Sequence, residues 1–336
     1  MIRIRGLGMI AAFFLIAAAG PAQAEVKDIT VVIQNGINYL PLMVMKQEHL
    51  IEKRVAQAGI KGFKVNWSRL GTASAVNDAL LSGQVNFAAV GASSLVTMWA
   101  KTRENAKVRS IAAVCSMPIY LVTRNPDVKS IRDLSENDRI ALPGVKVSIQ
   151  AVLLEMAAAK EFGQANYAKL DPLTVAMSQP EGMIALLTKQ SQISSHFGGP
   201  PYQYEELLKP GISKILSSYD IFGGSHTYTQ IYAMGAFYDA NPKISKAFFE
   251  ALQDANQLIK TDKKRAMEIY RLVSDDKRTS DQVLLAILND PDVEFTVTPK
   301  NMMKFAKFMH DIGSVKVMPE SWKDMFFPLV HSMQGS

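Results

Sequence analysis

The sequence predicts an α/β protein built from two doubly wound lobes. Three observations carry that reading. Short apolar, β-branched runs alternate with amphipathic stretches, and continuously apolar strands belong in sheets covered on both faces. Several of these runs end in small or polar loops that open a helix. The rhythm pauses at Ser116-Met117-Pro118 and then resumes for a second block.

Residues 29–33 (ITVVI) are a strand by composition, and the loop 35–38 leads into a helix over 41–54. Residues 63–68 form the next strand. The stretch GTASAVNDALLSG follows, with Thr72 or Ser74 as helix cap and Gly83 as stop. Residues 85–90 are again a strand, and Gly91-Ala92-Ser93-Ser94 opens a helix that runs through Trp99. Residues 108–114 and 119–123 give two more strands on either side of the pause.

In the second block, residues 139–142, 173–177, 192–195 and 214–217 read as strands, with helices over 148–162 and 180–189. After Gly223-Gly224 comes one further strand-like run, 229–234, and then the chain turns helical. Asn241-Pro242 opens a helix whose Ile244, Phe248, Ala251 and Ala255 share one face. Thr298-Pro299 opens another, which carries Met302, Phe305, Ala306 and Met309 and stops at Gly313. These apolar stripes are core positions. No long linker, low-complexity tract or short-period repeat divides the chain.

The first 24 residues have the make-up of a secretory signal peptide. Arg3 and Arg5 precede an apolar run over 9–19, and Ala22-Gln23-Ala24 supplies the cleavage site, expected after Ala24. The run is too short for a comfortable membrane span, and no cysteine follows it to carry a lipid. Removing Arg3 and Arg5 lowers the formal net charge from +6 to +4. That excess is scattered, with Lys263-Lys264-Arg265 the one basic triplet, so no nucleic-acid surface is expected. The single cysteine, Cys115, lies beside the apolar run 111–114 and reads as a buried thiol.

Catalytic signatures are scarce. The five histidines form neither H-x-x-x-H nor H-E-x-x-H, and one cysteine excludes a thiolate cluster. A zinc site of three histidines from distant segments is the metal reading left open. There is no G-x-S-x-G elbow, and no nucleotide loop follows Pro143-Gly144. No catalytic residue, metal or cofactor is therefore expected.

Binding has better support. Four loops, 34–38, 71–74, 91–94 and 144–148, follow strands and start helices, and ligands of open α/β sheets sit beyond strand carboxyl ends. Each offers free backbone N–H groups that can surround an oxyanion without a lysine. Asn35, Asn38, Thr72, Ser74, Ser93, Ser94 and Ser148 are the polar candidates. Tyr39, His196, Phe197, His226 and Tyr228 are the candidate pocket walls. Lys146 is a candidate ion-pair partner set against a solvated loop lysine.

Six stretches carry a family resemblance: QNGINYLPLMVMKQEHLIEKR, GTASAVNDALLSGQVNFAAVGASSL, VKVSIQAVLLEMAA, HFGGPPYQYEELL, GGSHTY and PESWKDMFFP. Together they resemble the solute-binding proteins of nitrate/sulfonate/taurine-type ABC importers. The resemblance implies a type II periplasmic binding fold, two α/β lobes with two crossings near 116–118 and 226–232. It places a first lobe at 25–117, a second at 118–228, and a return with C-terminal helices packed on the first lobe at 229–336. It implies a periplasmic receptor that delivers a small organic anion, such as an alkyl or aromatic sulfonate, to a membrane permease, and with no sequence feature calling for an oligomer a monomer is the default expectation. In sulfonate- and taurine-binding relatives the segment matching HFGGP commonly reads as an aromatic followed by an acidic residue and proline. Here Gly198 stands there, which argues against a ligand ammonium. Two alternatives share the scaffold, a receptor for a pyrimidine or thiamine precursor and a sensor that presents its ligand to a signalling receptor. Thiamine-pyrimidine synthases also resemble it, but their cysteine-rich motif is absent.

Overall fold

The computed structural model describes residues 24–336, so the predicted leader lies outside the described residues except for its last residue, Ala24. The first lobe begins with β1 (Asp28–Ile33), α1 (Leu40–Gln47), α2 (Leu50–Gln57) and β2 (Lys64–Arg69). It continues through α3 (Ala73–Leu81), β3 (Phe87–Gly91), α4 (Ala92–Thr102) and β4 (Arg109–Ser116). The second lobe follows as β5 (Tyr120–Thr123), β6 (Ile140–Leu142), α5 (Ile149–Phe162), β7 (Thr174–Ala176) and α6 (Gln179–Leu187). It ends with β8 (Ser195–Gly198), α7 (Tyr202–Leu207), β9 (Ser213–Ser217) and α8 (Ser218–Phe222). The chain then returns with β10 (Thr227–Ala233), α9 (Gly235–Ala240), α10 (Pro242–Thr261), α11 (Lys263–Ser274), α12 (Asp281–Asn289) and α13 (Met302–Asp311).

Two five-stranded sheets result, ordered β2-β1-β3-β10-β4 and β7-β6-β8-β5-β9. Their plan is shared. Three strands run parallel, and the strand that follows each crossing enters fourth, antiparallel to its neighbours. The inner parallel strands β1, β3 and β6 are buried on both faces, which accounts for their apolar character, while the edge strands β2 and β7 are only partly covered. Helices α10 and α11 pack on α1 and α2, so the C-terminal helices lie on the first lobe. No helix among the described residues is long and apolar enough to cross a membrane.

Several expected elements shift, each for a local reason. The helix expected over 41–54 is two helices, because His49 adopts the left-handed conformation at φ 51° and ends the first. The expected cap Thr298-Pro299 precedes a helix that starts only at Met302, after left-handed Asn301. The second crossing lies at 223–226, earlier than the 226–232 expected, since Thr227–Ala233 is already a strand of the first sheet. The strand expected over 192–195 is instead Ser195–Gly198, and that three-residue shift changes the reading of the site.

The two crossings are stitched together. Ser116 Oγ donates to the carbonyl of His226 at 2.7 Å, and Gln203, on α7, clamps the first crossing from both sides. Its Nε2 donates to Pro118 O at 3.0 Å, and its Oε1 accepts from Tyr120 N–H at 2.8 Å.

Candidate functional site

Between the lobes lies a small cavity of about 40 Å³, far below the several hundred typical of a drug-sized ligand. It lies beyond the carboxyl ends of β1, β2, β3, β6 and β7. The first lobe contributes Gln34, Asn35, Tyr39, Gly71, Ala73, Val90, Gly91, Ser94 and Tyr228. The second contributes Pro143, Ser148, Ile149, Gln150, Ser178 and Gln179. None of these side chains carries a charge.

Four helices aim their amino ends at this space. Thr72 caps α3 by accepting from Ala75 N–H at 3.3 Å, and α4 starts at Gly91 without a side-chain cap. Ser148 caps α5 by accepting from Ala151 N–H at 3.2 Å. Ser178 and Glu181 close a capping box on α6, with Ser178 N–H donating to Glu181 Oε2 at 2.9 Å. First-turn N–H groups precede each helix's own hydrogen-bond ladder, and the aligned peptide dipoles add positive potential there.

Three of the four side-chain amides in the lining share one polarity, and Gln150 is the exception, because its Nε2 is the end the protein engages. Gln34 Oε1 accepts from the Tyr39 hydroxyl at 2.8 Å. Asn35 Oδ1 accepts from the Arg69 guanidinium at 2.8 Å. Gln179 Oε1 accepts from Gly199 N–H at 3.1 Å, and its buried Nε2 has no partner among the described residues. In all three the carbonyl end is taken by the protein and the NH₂ end is left as a donor. Gln150 Nε2 donates to the Tyr228 oxygen at 3.4 Å, which leaves the Tyr228 hydroxyl proton free to be donated elsewhere. Burial holds the Tyr39 and Tyr228 hydroxyls well above the usual phenol range, so both stay neutral donors. A cavity with this many free donors suits an acceptor-rich guest.

The lobes are closed on one another. Ile37 N–H donates to Pro200 O at 3.3 Å, and Ser93 Oγ donates to Val147 O at 3.4 Å. A Cβ on Gly91 would stand 2.9 Å from Ile149 Cγ2, so only glycine admits this approach.

Of the residues nominated from sequence, Asn35, Tyr39, Ser94, Ser148 and Tyr228 line the cavity. The others do not. His196 and Phe197 lie inside β8, paired with β5 and β6, and are fully buried in the sheet. His196 Nδ1 instead faces Glu206 Oε1 at 2.5 Å. His226 sits at the second crossing, where its Nε2 lies 2.8 Å from Ser218 Oγ and its ring packs on Phe222. Burial pushes its pKa down to about 4, so it is neutral at pH 7. Asn38 turns inward and donates to Thr229 Oγ1 at 2.7 Å. Ser93 is spent on Val147, and Thr72 and Ser74 are exposed, Thr72 as a cap. Lys146 is exposed at φ 63°, and its field falls on Glu155 and Asp171. Sequence reasoning passed over Gln34, Gln150, Ser178 and Gln179. The last two had a signal, the S-x-x-E capping box at 178–181.

Among the described residues no group of three or more His, Cys, Asp or Glu side chains is placed to hold a metal ion. Neither a family model nor a curated protein sequence matches the chain. Solved structures do. The alkanesulfonate-binding protein SsuA from Xanthomonas axonopodis pv. citri, bound to MOPS, matches at 16% identity with a TM-score of 0.69, over 88% of this chain and 96% of that one. The periplasmic aliphatic sulphonate-binding protein SsuA from Escherichia coli matches at 16% identity and a TM-score of 0.67, over 90% and 92%. The periplasmic nitrate-binding protein NrtA from Synechocystis PCC 6803 matches at 15% and 0.66, over 90% and 84%. Two lobes, two crossings, a cleft at the strand ends and these matches together give the chain the periplasmic binding protein fold.

Proposed function

We propose that the chain is the periplasmic substrate-binding component of an ABC importer, and that its ligand is a small organic anion, an alkyl or aromatic sulfonate or a close analogue. The observation that carries this reading is the shared polarity of Gln34, Asn35 and Gln179, whose carbonyl ends are all engaged and whose NH₂ ends are free. Helix amino ends support it, since they hold an oxyanion without a charged side chain. The closed volume favours the short alkyl end of the ligand range. Among the described residues no carboxylate lines the cavity, which disfavours a ligand ammonium and hence taurine.

In this reading the bodies at 25–117 with 227–336 and at 118–222 hinge about the two crossings. Closure removes water from the ligand and presents one face to the permease. A signal peptide cleaved after Ala24 delivers the monomer to the periplasm. The protein binds and releases and performs no chemistry. A pyrimidine receptor is less well supported, because His196, Phe197 and His226 are in the core or the hinge and leave Tyr39 and Tyr228 as the aromatic lining.

Native mass spectrometry of the purified mature protein, followed by calorimetric titration with methane- to butanesulfonate, nitrate and taurine, tests the proposal. Binding of one or more sulfonates with taurine excluded supports it. A retained neutral heteroaromatic adduct, with no anion bound, overturns it.

A further inference from the structure

The cavity lining carries no charge, yet one guanidinium stands directly behind it. Arg69, the last residue of β2, is half-buried. Its Nη1 donates to Gln34 O at 3.1 Å and to Asn35 Oδ1 at 2.8 Å, and its Nη2 donates to Val273 O at 2.9 Å. Gln34 and Asn35 both line the cavity. All three acceptors are neutral oxygens, and among the described residues no carboxylate lies within salt-bridge distance of Arg69. On helices α2 and α11, Arg54, Arg265 and Arg271 each pair with a carboxylate, whereas Arg124 and Arg139, like Arg69, donate to neutral oxygens, but neither of them contacts a residue of the cavity lining. The carbonyl end of α11, which supplies Val273, offsets part of the Arg69 charge but does not cancel it.

We propose that Arg69 is the charge-selecting residue of the cleft, a positioning residue that makes the site prefer an anion over a neutral molecule of the same shape. The inference rests on the reading of the cleft as an anion receptor and adds the source of its selectivity. Two effects act together. The hydrogen bond to Asn35 Oδ1 fixes which end of that amide faces the ligand, so the NH₂ group is presented. The unpaired charge stands one residue behind the lining, and its field crosses a gap from which water is displaced on closure. The same field reaches the opposite lobe, where it acts on the Tyr202 hydroxyl against the field of Asp276. A guanidinium placed in the lining itself would bind anions tightly and release them slowly. Set one layer back, it biases the site without a direct ion pair that must be broken for release.

The experiment compares wild type, Arg69→Gln and Arg69→Lys in binding a matched pair, ethanesulfonate and its neutral isostere ethanesulfonamide, at low and high NaCl. Wild type is expected to prefer the sulfonate, with affinity that falls as salt rises. Arg69→Gln is expected to lose about tenfold for the sulfonate and most of the salt dependence, and to weaken the sulfonamide by clearly less, because the Asn35 orientation acts on both ligands and the charge acts on the anion. Arg69→Lys keeps the charge and is expected to recover the anion preference. Equal weakening of both ligands with the salt slope intact means that Arg69 only braces the loop, which overturns the proposal. Unchanged sulfonate binding in Arg69→Gln overturns it as well. A wild type that binds no member of a panel of methane- to butanesulfonate, nitrate and sulfate overturns the anion-receptor reading, and this inference with it.

Discussion

Gln179 and Gly199 are joined across the second lobe by a hydrogen bond of 3.1 Å, from the Gly199 backbone N–H to Gln179 Oε1. The bond orients the amide. It leaves Nε2 of this cavity-lining residue buried with no partner among the described residues, and an orphaned buried donor is costly unless a ligand satisfies it. Gln179→Glu keeps an oxygen for Gly199 and replaces the free donor with a carboxylate oxygen. Anion affinity is expected to fall at least about 100-fold, since a charged hydrogen bond worth roughly 1.5–3 kcal/mol becomes a repulsion. Gln179→Leu, which removes the donor without adding charge, is expected to cost about tenfold. Calorimetry on the folded variants decides, and unaltered affinity in both would remove Gln179 from the site.

Gly91 meets Ile149 across the cleft, and the absent side chain lets the lobes close. A Cβ at position 91 would lie 2.9 Å from Ile149 Cγ2 and 3.0 Å from Ile149 Cβ. Gly91→Val is therefore expected to hold the lobes apart and to weaken binding while the separate lobes keep their cores. Small-angle scattering should lose its ligand-induced contraction. Ile149→Ala in the same chain makes room and is expected to restore part of the affinity, a coupling that independent sites do not show.

How much of this was legible in advance follows from what sets each feature. The strand–helix rhythm, the Ser148 cap and four of the loops at the cavity were readable, because strand composition and caps are local properties. Position in a strand was less so: a three-residue shift moved His196 and Phe197 from an expected loop into β8, where pairing on both sides buries them. The polarity of Gln34, Asn35 and Gln179 was out of reach, since each is set by a donor from elsewhere in the chain or its backbone. The partner of His196 was out of reach too, since Glu206 comes from α7, ten residues on.

That partner gives a stability prediction. His196 Nδ1 and Glu206 Oε1 lie 2.5 Å apart with both side chains fully buried, and His196 Nε2 and Glu206 Oε2 have no other partner among the described residues. Gly182 and Gly198 flank the ring so closely that a Cβ on either would stand under 3.0 Å from it. Replacing one member strands the other in a dry interior. His196→Ala or Glu206→Ala is expected to cost about 3–5 kcal/mol, and the double variant less than the sum of the two. Urea denaturation of the four proteins measures the coupling, and additive losses would mean the pair is not an energetic unit.

Glu155, on the buried side of α5, supplies the pH dependence. Burial lifts its pKa from 4.5 to about 7, the nearby Asp171 charge adds to the shift, and Lys146 opposes it. The folded protein thus keeps a proton that the unfolded chain releases between about pH 4.5 and 7. Stability from this group is fully present below 4.5, and it is lost as pH rises through 7. The loss is on the order of 3 kcal/mol by linkage. Urea midpoints measured across this range should fall with rising pH in the wild type, and the slope should flatten in Glu155→Gln. Lys146→Gln removes the opposing positive charge, raises the Glu155 pKa further, and should move the falling segment to higher pH. Ligand affinity in that variant should stay within about twofold of wild type, because Lys146 is exposed and does not line the cavity. A large loss of anion binding in Lys146→Gln would instead return that lysine to the site as a ligand partner.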